Sequence, residues 1–254
     1  ETMGQSAEKM AKINHVSREE QDQFALRSHR LAYAGTTDGR LTAEIAPVWP
    51  PPRFEPALSA DNGIREDTTI ERLRELKPVF DRRYGTVTAG NASPLTDGAA
   101  AVVLMSEEKA LALGYTPLGF IRAYAYAAVD PGEQLLMAPV LAAPLALARA
   151  GLTLRDMDLV EMHEAFAAQV LCNLRGLDSN EWAERAGLRE PVGEVDRARL
   201  NVMGGSVAIG HPFGATGARI TTTLANELGR RGGQFGLMTV CAAGGLGFAM
   251  VIER

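Results

Sequence analysis

The spacing of apolar and polar positions divides the chain into an irregular, helix-bearing first part and a regular second part. Ser17-Arg-Glu-Glu20 sets a hydroxyl three residues before a carboxylate, the arrangement that closes a helix's first turn. The segment it opens runs to Gly35, a residue suited to end it. Residues 36–66 carry Pro47, Pro50, Pro51, Pro52 and Pro56 with no sustained period, so they should lie irregularly over a surface or a ligand. Thr68-Thr-Ile-Glu71 predicts a second capped helix that closes before Pro78. Ala99-Ala-Ala-Val-Val-Leu-Met105 is continuously apolar and reads as a fully buried strand. A short helix follows it, from Ser106 to near Gly114.

From Gly119 onward, strand-like and helix-like segments alternate. Residues 119–127 and 158–162 read as strands. A helix starts at Pro139 or Pro144 and stops at Gly151, and another spans Glu164–Arg175. After an acidic, polar insertion at 178–198, Ile220, Leu224 and Leu228 fall at i, i+4 and i+8, one face of a helix. Residues 235–240 and 246–252 are apolar strands. Alternation of this kind predicts a layered α/β domain, with the order β-α-β-α-β-α-β-β beyond residue 116.

Bulk composition narrows the function classes. A chain of 254 residues, 46% hydrophobic and 22% charged, can bury one large core or two smaller ones. A net charge of −5 argues against nucleic acid as a partner. No apolar run approaches the ~20 residues of a membrane span. Glu1-Thr-Met-Gly-Gln-Ser-Ala-Glu8 has no basic stretch leading into an apolar one, so a signal peptide is not expected. Two cysteines make no disulfide framework, which favours a reducing compartment.

The candidate chemistry sits in two glycine-rich segments. Asn201-Val-Met-Gly-Gly-Ser-Val-Ala-Ile-Gly-His-Pro-Phe-Gly-Ala-Thr-Gly217 holds one imidazole, His211, between glycines. Cys241-Ala-Ala-Gly-Gly-Leu-Gly247 is a thiol followed by a flexible turn. An imidazole takes a proton near neutrality, and a thiol of pKa ~8.5 exchanges one when neighbouring dipoles lower it. The two therefore suit thiol chemistry. An isolated loop histidine or a lone cysteine is more often structural, and Cys172, inside the Glu164–Arg175 helix, is read that way. Neither a Walker-type Gly-Lys-Ser/Thr nor the third glycine of a dinucleotide loop is present.

These segments resemble the thiolase family, whose Gly-His-Pro histidine and C-terminal Cys-x-Gly-Gly cysteine are both catalytic. The resemblance assigns those roles to His211 and Cys241 and implies the layered thiolase fold. It makes the Ala243 amide, beside Gly244, a donor to an oxyanion. A third motif, His163-Glu-Ala-Phe-Ala-Ala-Gln169, stands where many thiolases have Asn-Glu-Ala-Phe. There the asparagine holds a water of a second oxyanion hole. The imidazole of His163 is longer and can reach the oxygen directly, with Glu164 as its support. A metal reading of His163-Glu164 lacks a second ligand at helical spacing, so no metal is expected.

The His-Glu-Ala-Phe form resembles the thiolase subunit of the fatty-acid β-oxidation complex. That implies acyl transfer from 3-ketoacyl-CoA to coenzyme A, with coenzyme A as co-substrate and no cofactor. It also implies a homodimer and a hydratase–dehydrogenase partner subunit, in a bacterial-type cytoplasm or a mitochondrial matrix. Lys77-Pro-Val-Phe-Asp81 and the run from Gly85 to Ala100 look like the end of the first thiolase half. Residues 1–77 are then the remainder of a loop domain covering coenzyme A, 78–115 the close of the N-terminal half, and 116–254 the C-terminal domain. The nucleophile's Cys-x-Ser-Gly context is missing, so the chain reads as the C-terminal part of a thiolase, inactive alone. A ketoacyl synthase and a non-catalytic acyl-CoA or lipid carrier are the rival readings; fatty-acid-type synthases lack a cysteine in the last loop.

Overall fold

Two reciprocally capped helices open the chain, in a computed structural model that describes residues 1–55 and 58–254. Pro56, part of the proline-rich stretch, lies outside the described residues. Helix α1 (Met3–Ile13), boxed by Thr2 and Gln5, is an element that the sequence pattern left unassigned. Helix α2 (Arg18–Thr37) starts at the Ser17–Glu20 box as expected but continues through Gly35. A β-carbon on Gly35 would stand 2.3 Å from Met203 Cε, so this glycine permits close packing and does not end the helix. Helix α3 (Ile70–Glu75) is capped by Thr69, one residue later than the expected box.

Residues 99–105 depart most from expectation. They form no strand and are exposed, Val103 at 82%. An apolar run becomes a buried strand only when neighbours take up its backbone groups and cover its faces. No described strand pairs with this one. Helix α4 (Glu107–Ala112) follows, capped by Ser106.

The regular part comprises β1 (Phe120–Ala128), α5 (Ala138–Ala150), β2 (Leu159–Met162), α6 (Ala167–Leu177), α7 (Asn180–Arg185), α8 (Ser206–Ile209), α9 (Thr216–Arg231), β3 (Phe235–Ala242) and β4 (Leu246–Glu253). The strands form one sheet in the order β1-β4-β3-β2, with β2 parallel to β3 and the other pairs antiparallel. The additional strand expected in this part is reduced to a single bridge, Leu200 to Val160. Helix α7 lies inside the 178–198 insertion, and α6 starts three residues after Glu164.

Side chains alternate across the sheet. Leu237, Ala249 and Val251 join the core built with α5 and α6, whereas Met238, Met250 and Ile252 pack with Ile220, Leu224 and Leu228 of α9. The layered α/β arrangement is the one expected.

The α5 layer sits hard against β4. A β-carbon at Gly247 would lie 2.4 Å from the Ala138 carbonyl carbon and 2.6 Å from the Pro139 nitrogen. Backbone atoms cannot swing aside as a side chain can. Gly247→Ala should therefore destabilise the fold by about 1–3 kcal/mol. Urea denaturation measures this, and a midpoint equal to wild type would contradict the close approach.

Candidate active site

The candidate residues collect where two parallel strands leave the sheet. Met162 pairs with Thr239, and the next amide, His163 N–H, donates to the Thr239 carbonyl at 2.9 Å. His163 thus follows that rung by one residue and Cys241 by two, on adjacent strands. Open α/β sheets place ligands at this end of their strands.

Asn201 pins the end of β2. Its Oδ1 accepts from Met162 N–H at 2.7 Å, and its Nδ2 donates to the Met162 carbonyl at 2.8 Å. Its own φ is +44°, a left-handed conformation that asparagine tolerates better than most residues. The Nδ2 also donates to Glu164 Oε1 at 2.8 Å. The other carboxylate oxygen, Oε2, accepts from Ser28 Oγ at 2.7 Å and from Val207 N–H at 3.1 Å. Burial raises the Glu164 pKa, and the hydrogen bonds from Asn201 and Ser28 work against that rise.

His211 is carried on a loop bent by left-handed glycines, Gly210 at φ +102° and Gly214 at φ +82°. A β-carbon at Gly210 would meet Thr96 Oγ1 at 2.5 Å as well. The His211 ring lies against the His163 ring, centroids 4.0 Å apart and planes 39° from parallel. His211 Nδ1 is 2.6 Å from Thr216 Oγ1, and His163 Nδ1 is 3.0 Å from Ser206 Oγ. Among the described residues, neither Nε2 has a hydrogen-bond partner. Each imidazole is held by one nitrogen and keeps the other for a ligand.

Arg219 binds this arrangement from α9. Its Nη1 donates to the Gly210 carbonyl at 2.7 Å and its Nη2 to Ser206 Oγ at 2.9 Å. Burial lowers the pKa of both histidines. For His163 the neighbouring His211 and then Arg219 add to the effect; for His211, Arg219 does. Both rings therefore stay neutral at neutral pH. Beside His211 opens a cleft of about 520 Å³ walled by Thr96, Gly98, Pro212 and Phe213.

Cys241 is 5% exposed and pairs with Gly247 on β4, one rung before Ala242 and Leu246 close the hairpin. Its surroundings correct the expectation of a slightly lowered pKa: burial pushes the thiol up to about 12. Gly244 and Gly245 take φ +83° and +77°, which turns the chain sharply after an exposed Ala243. Ala243 has no positive φ, so alanine fits there without strain. Cys241 does not wall the His211 cleft, and no hydrogen bond joins the two side chains among the described residues. Cys172 is buried in α6 with a thiol likewise near 12, as a core residue would be.

The family model for the thiolase C-terminal domain matches residues 115–254, and the one for the N-terminal domain matches residues 1–108. The chain belongs to the thiolase family. It is 56% identical over 252 residues to a 3-ketoacyl-CoA thiolase of Pectobacterium atrosepticum, covering 99% of this chain and 57% of that protein. It is 53% identical over 253 residues to one from Pseudoalteromonas atlantica, covering 99% of this chain and 58% of the other. The human mitochondrial 3-ketoacyl-CoA thiolase superposes with a TM-score of 0.88 at 40% identity, covering 99% of this chain and 59% of that one. An acetyl-CoA acetyltransferase of Bacillus anthracis gives 0.87 at 42%, with 99% and 60% covered.

This thiolase chain thus spans 57% and 58% of the length of the Pectobacterium and Pseudoalteromonas relatives. The match of residues 1–108 to the N-terminal domain corrects in part the reading of the chain as the C-terminal part of a thiolase, since it carries a stretch of each domain. Sequence reasoning also missed Ser28, Ser206, Thr216 and Arg219. Ser206 and Thr216 stand inside the histidine segment, but only the fold tells which ring each serves.

Replacing Glu164 tests the clasp. Glu164→Ala would strand three buried donors, each costing about 1–3 kcal/mol. Thermal unfolding should therefore show a large loss of stability, and a loss within that of an exposed Glu→Ala control would sink the assignment.

Proposed function

We propose that this chain is part of a 3-ketoacyl-CoA thiolase, an acyltransferase of fatty-acid β-oxidation. The observation that carries this is the pair of adjacent, tilted imidazoles, each with Nδ1 engaged by a hydroxyl and Nε2 unpartnered among the described residues. The names of the relatives support the substrate class.

In this reading the nucleophilic cysteine comes from residues beyond these 254. His211 Nε2 takes its proton, and the thiolate adds to the C3 carbonyl of a 3-ketoacyl-CoA. The oxygen that gains charge is met by aimed N–H groups, with His163 and the Ala243 and Gly244 amides as candidates. The C2–C3 bond then breaks, leaving the acyl group on the cysteine and an enolate of acetyl-CoA. Cys241, whose buried thiol keeps its proton at neutral pH, protonates that enolate. The resulting thiolate deprotonates coenzyme A, whose sulfur takes the acyl group as the bond to the nucleophilic cysteine breaks; that cysteine's thiolate then recovers its proton from His211 Nε2. No cofactor is needed.

Residues 1–77 would cover coenzyme A, residues 78–115 would close the N-terminal half, and residues 116–254 would supply the groups above. The bacterial relatives support a cytoplasmic setting. No described helix is long and apolar enough to cross a membrane. The His-Glu-Ala-Phe form supports a hydratase–dehydrogenase partner subunit, and membership of the thiolase family supports a homodimer.

Two substitutions in the full-length protein should separate the roles. His211→Ala should slow acylation by any acyl donor, because the nucleophile loses its base. Cys241→Ala should leave acylation by a non-ketonic thioester intact while blocking carbon–carbon cleavage. Rapid-quench measurement of both half-reactions checks this, and equal losses in the two variants would refute the division.

The pH profile gives a second test. Burial and Arg219 hold His211 below the usual imidazole value of about 6.5, so its basic form persists to lower pH. The acid limb of kcat/KM should therefore fall below pH ~6.5. An acid limb above that value would contradict a neutral His211 base.

A further inference from the structure

A neutral imidazole carries one ring hydrogen, so an unpartnered Nε2 is a donor or an acceptor according to what Nδ1 does. At His163 the surroundings decide between them. Nδ1 faces Ser206 Oγ at 3.0 Å, and that hydroxyl has one hydrogen to give. Arg219 Nη2, which can only donate, already points at the same oxygen from 2.9 Å. The guanidinium is kept in place by its second bond, Nη1 to the Gly210 carbonyl. Ser206 is 1% exposed, so water does not take its hydrogen, and the described hydrogen bonds offer it one acceptor, His163 Nδ1. The alternative would aim hydrogens of both Arg219 and His163 at Ser206 Oγ and leave the serine's own hydrogen unused in a buried place.

Resting on the reading of His163 as a donor to the substrate oxygen, we propose that Ser206 and Arg219 are positioning residues that lock His163 in its Nε2–H tautomer. The neighbouring ring is set differently. Thr216 Oγ1 receives no cation, and its hydroxyl has the Pro212 carbonyl at 3.4 Å as an outlet. Thr216 can therefore accept from His211 Nδ1–H, which leaves His211 Nε2 free to act as a base. Two imidazoles 4.0 Å apart thus turn opposite functions toward the ligand, a donor from His163 and an acceptor from His211.

Solid-state ¹⁵N NMR of the full-length protein, labelled in its histidine rings, reads the tautomer directly. A His163→Asn variant identifies the ring's two signals. The wild type should show an unprotonated Nδ1 and a protonated Nε2 for His163. Ser206→Ala should lift the lock, so that the Nδ1–H form appears beside the Nε2–H form, and Ser206→Thr, which keeps the hydroxyl, should restore the wild-type pattern. In turnover of a 3-ketoacyl-CoA, Ser206→Ala should lower kcat about 10–100-fold, the range seen when the partner that orients a metal-bound histidine is removed, taken here as the scale for an oriented imidazole. KM should stay unchanged, so that kcat/KM falls equally. A wild-type His163 carrying its hydrogen on Nδ1 would overturn the lock, and that measurement stands even if Ser206→Ala fails to fold. An Ala variant with unmoved kcat would overturn it too. If the full-length protein shows no thiolase activity, the proposed function falls while the spectrum still judges the lock.

Discussion

A carboxylate without water organises this end of the molecule. Glu164 is fully buried, and its oxygens are reached by Ser28 from α2, Asn201 from the loop after the insertion, and Val207 N–H from α8. Ser28 comes from a part of the chain far from the segment that holds Asn201 and Val207, and an unsatisfied buried carboxylate would be very costly. A β-carbon on Gly205 would sit 2.4 Å from the Glu164 carboxyl carbon, so the chain crosses the carboxylate at the closest distance that it can. His163 precedes Glu164, and Ser206 precedes Val207. Clamping the second member of each pair brings the first members together, which is how the His163–Ser206 hydrogen bond arises.

Such a centre explains which parts of the site were legible in the sequence. Gly210 and Gly214 around His211, and Gly244 and Gly245 after Cys241, mark bends that other residues resist, and those positions do take left-handed φ. The apolar periods of β3, β4 and α9 were likewise readable because each element buries one face in the adjoining core. Long-range polar closure was not readable. Ser206 meets His163 across 43 positions and Ser28 meets Glu164 across 136, and no local pattern marks such partners. The misread segment, 99–105, fails for the opposite reason: its apolar run was clear, but burial depends on a neighbour that no described strand supplies.

Arg219 sets the electrostatics of the same region. Burial lowers its own pKa, and Glu161, Asp61 and Glu164 act in the opposite direction. A cation balanced in this way can stay charged beside two imidazoles without pairing with a single carboxylate. Burial is the larger reason that neither ring takes a positive charge, and the field of Arg219 adds to it. The result is a site that starts neutral at both histidines, the state in which one can accept a proton and the other can donate a hydrogen bond.

The substitution of histidine for asparagine in the His-Glu-Ala-Phe motif carries a structural requirement of its own. A side-chain amide always offers N–H donors, whatever lies behind it. An imidazole in the same place offers a donor only when its other nitrogen is made to accept. Serine alone would not enforce this, because a hydroxyl can donate or accept with equal ease. A cation that fills one lone pair of the hydroxyl removes that ambiguity, since the serine hydrogen is then left to the ring. The guanidinium of Arg219 does this while holding the Gly210 carbonyl, the residue before His211. One side chain therefore couples the orientation of the loop that carries His211 to the protonation pattern of the ring that faces it.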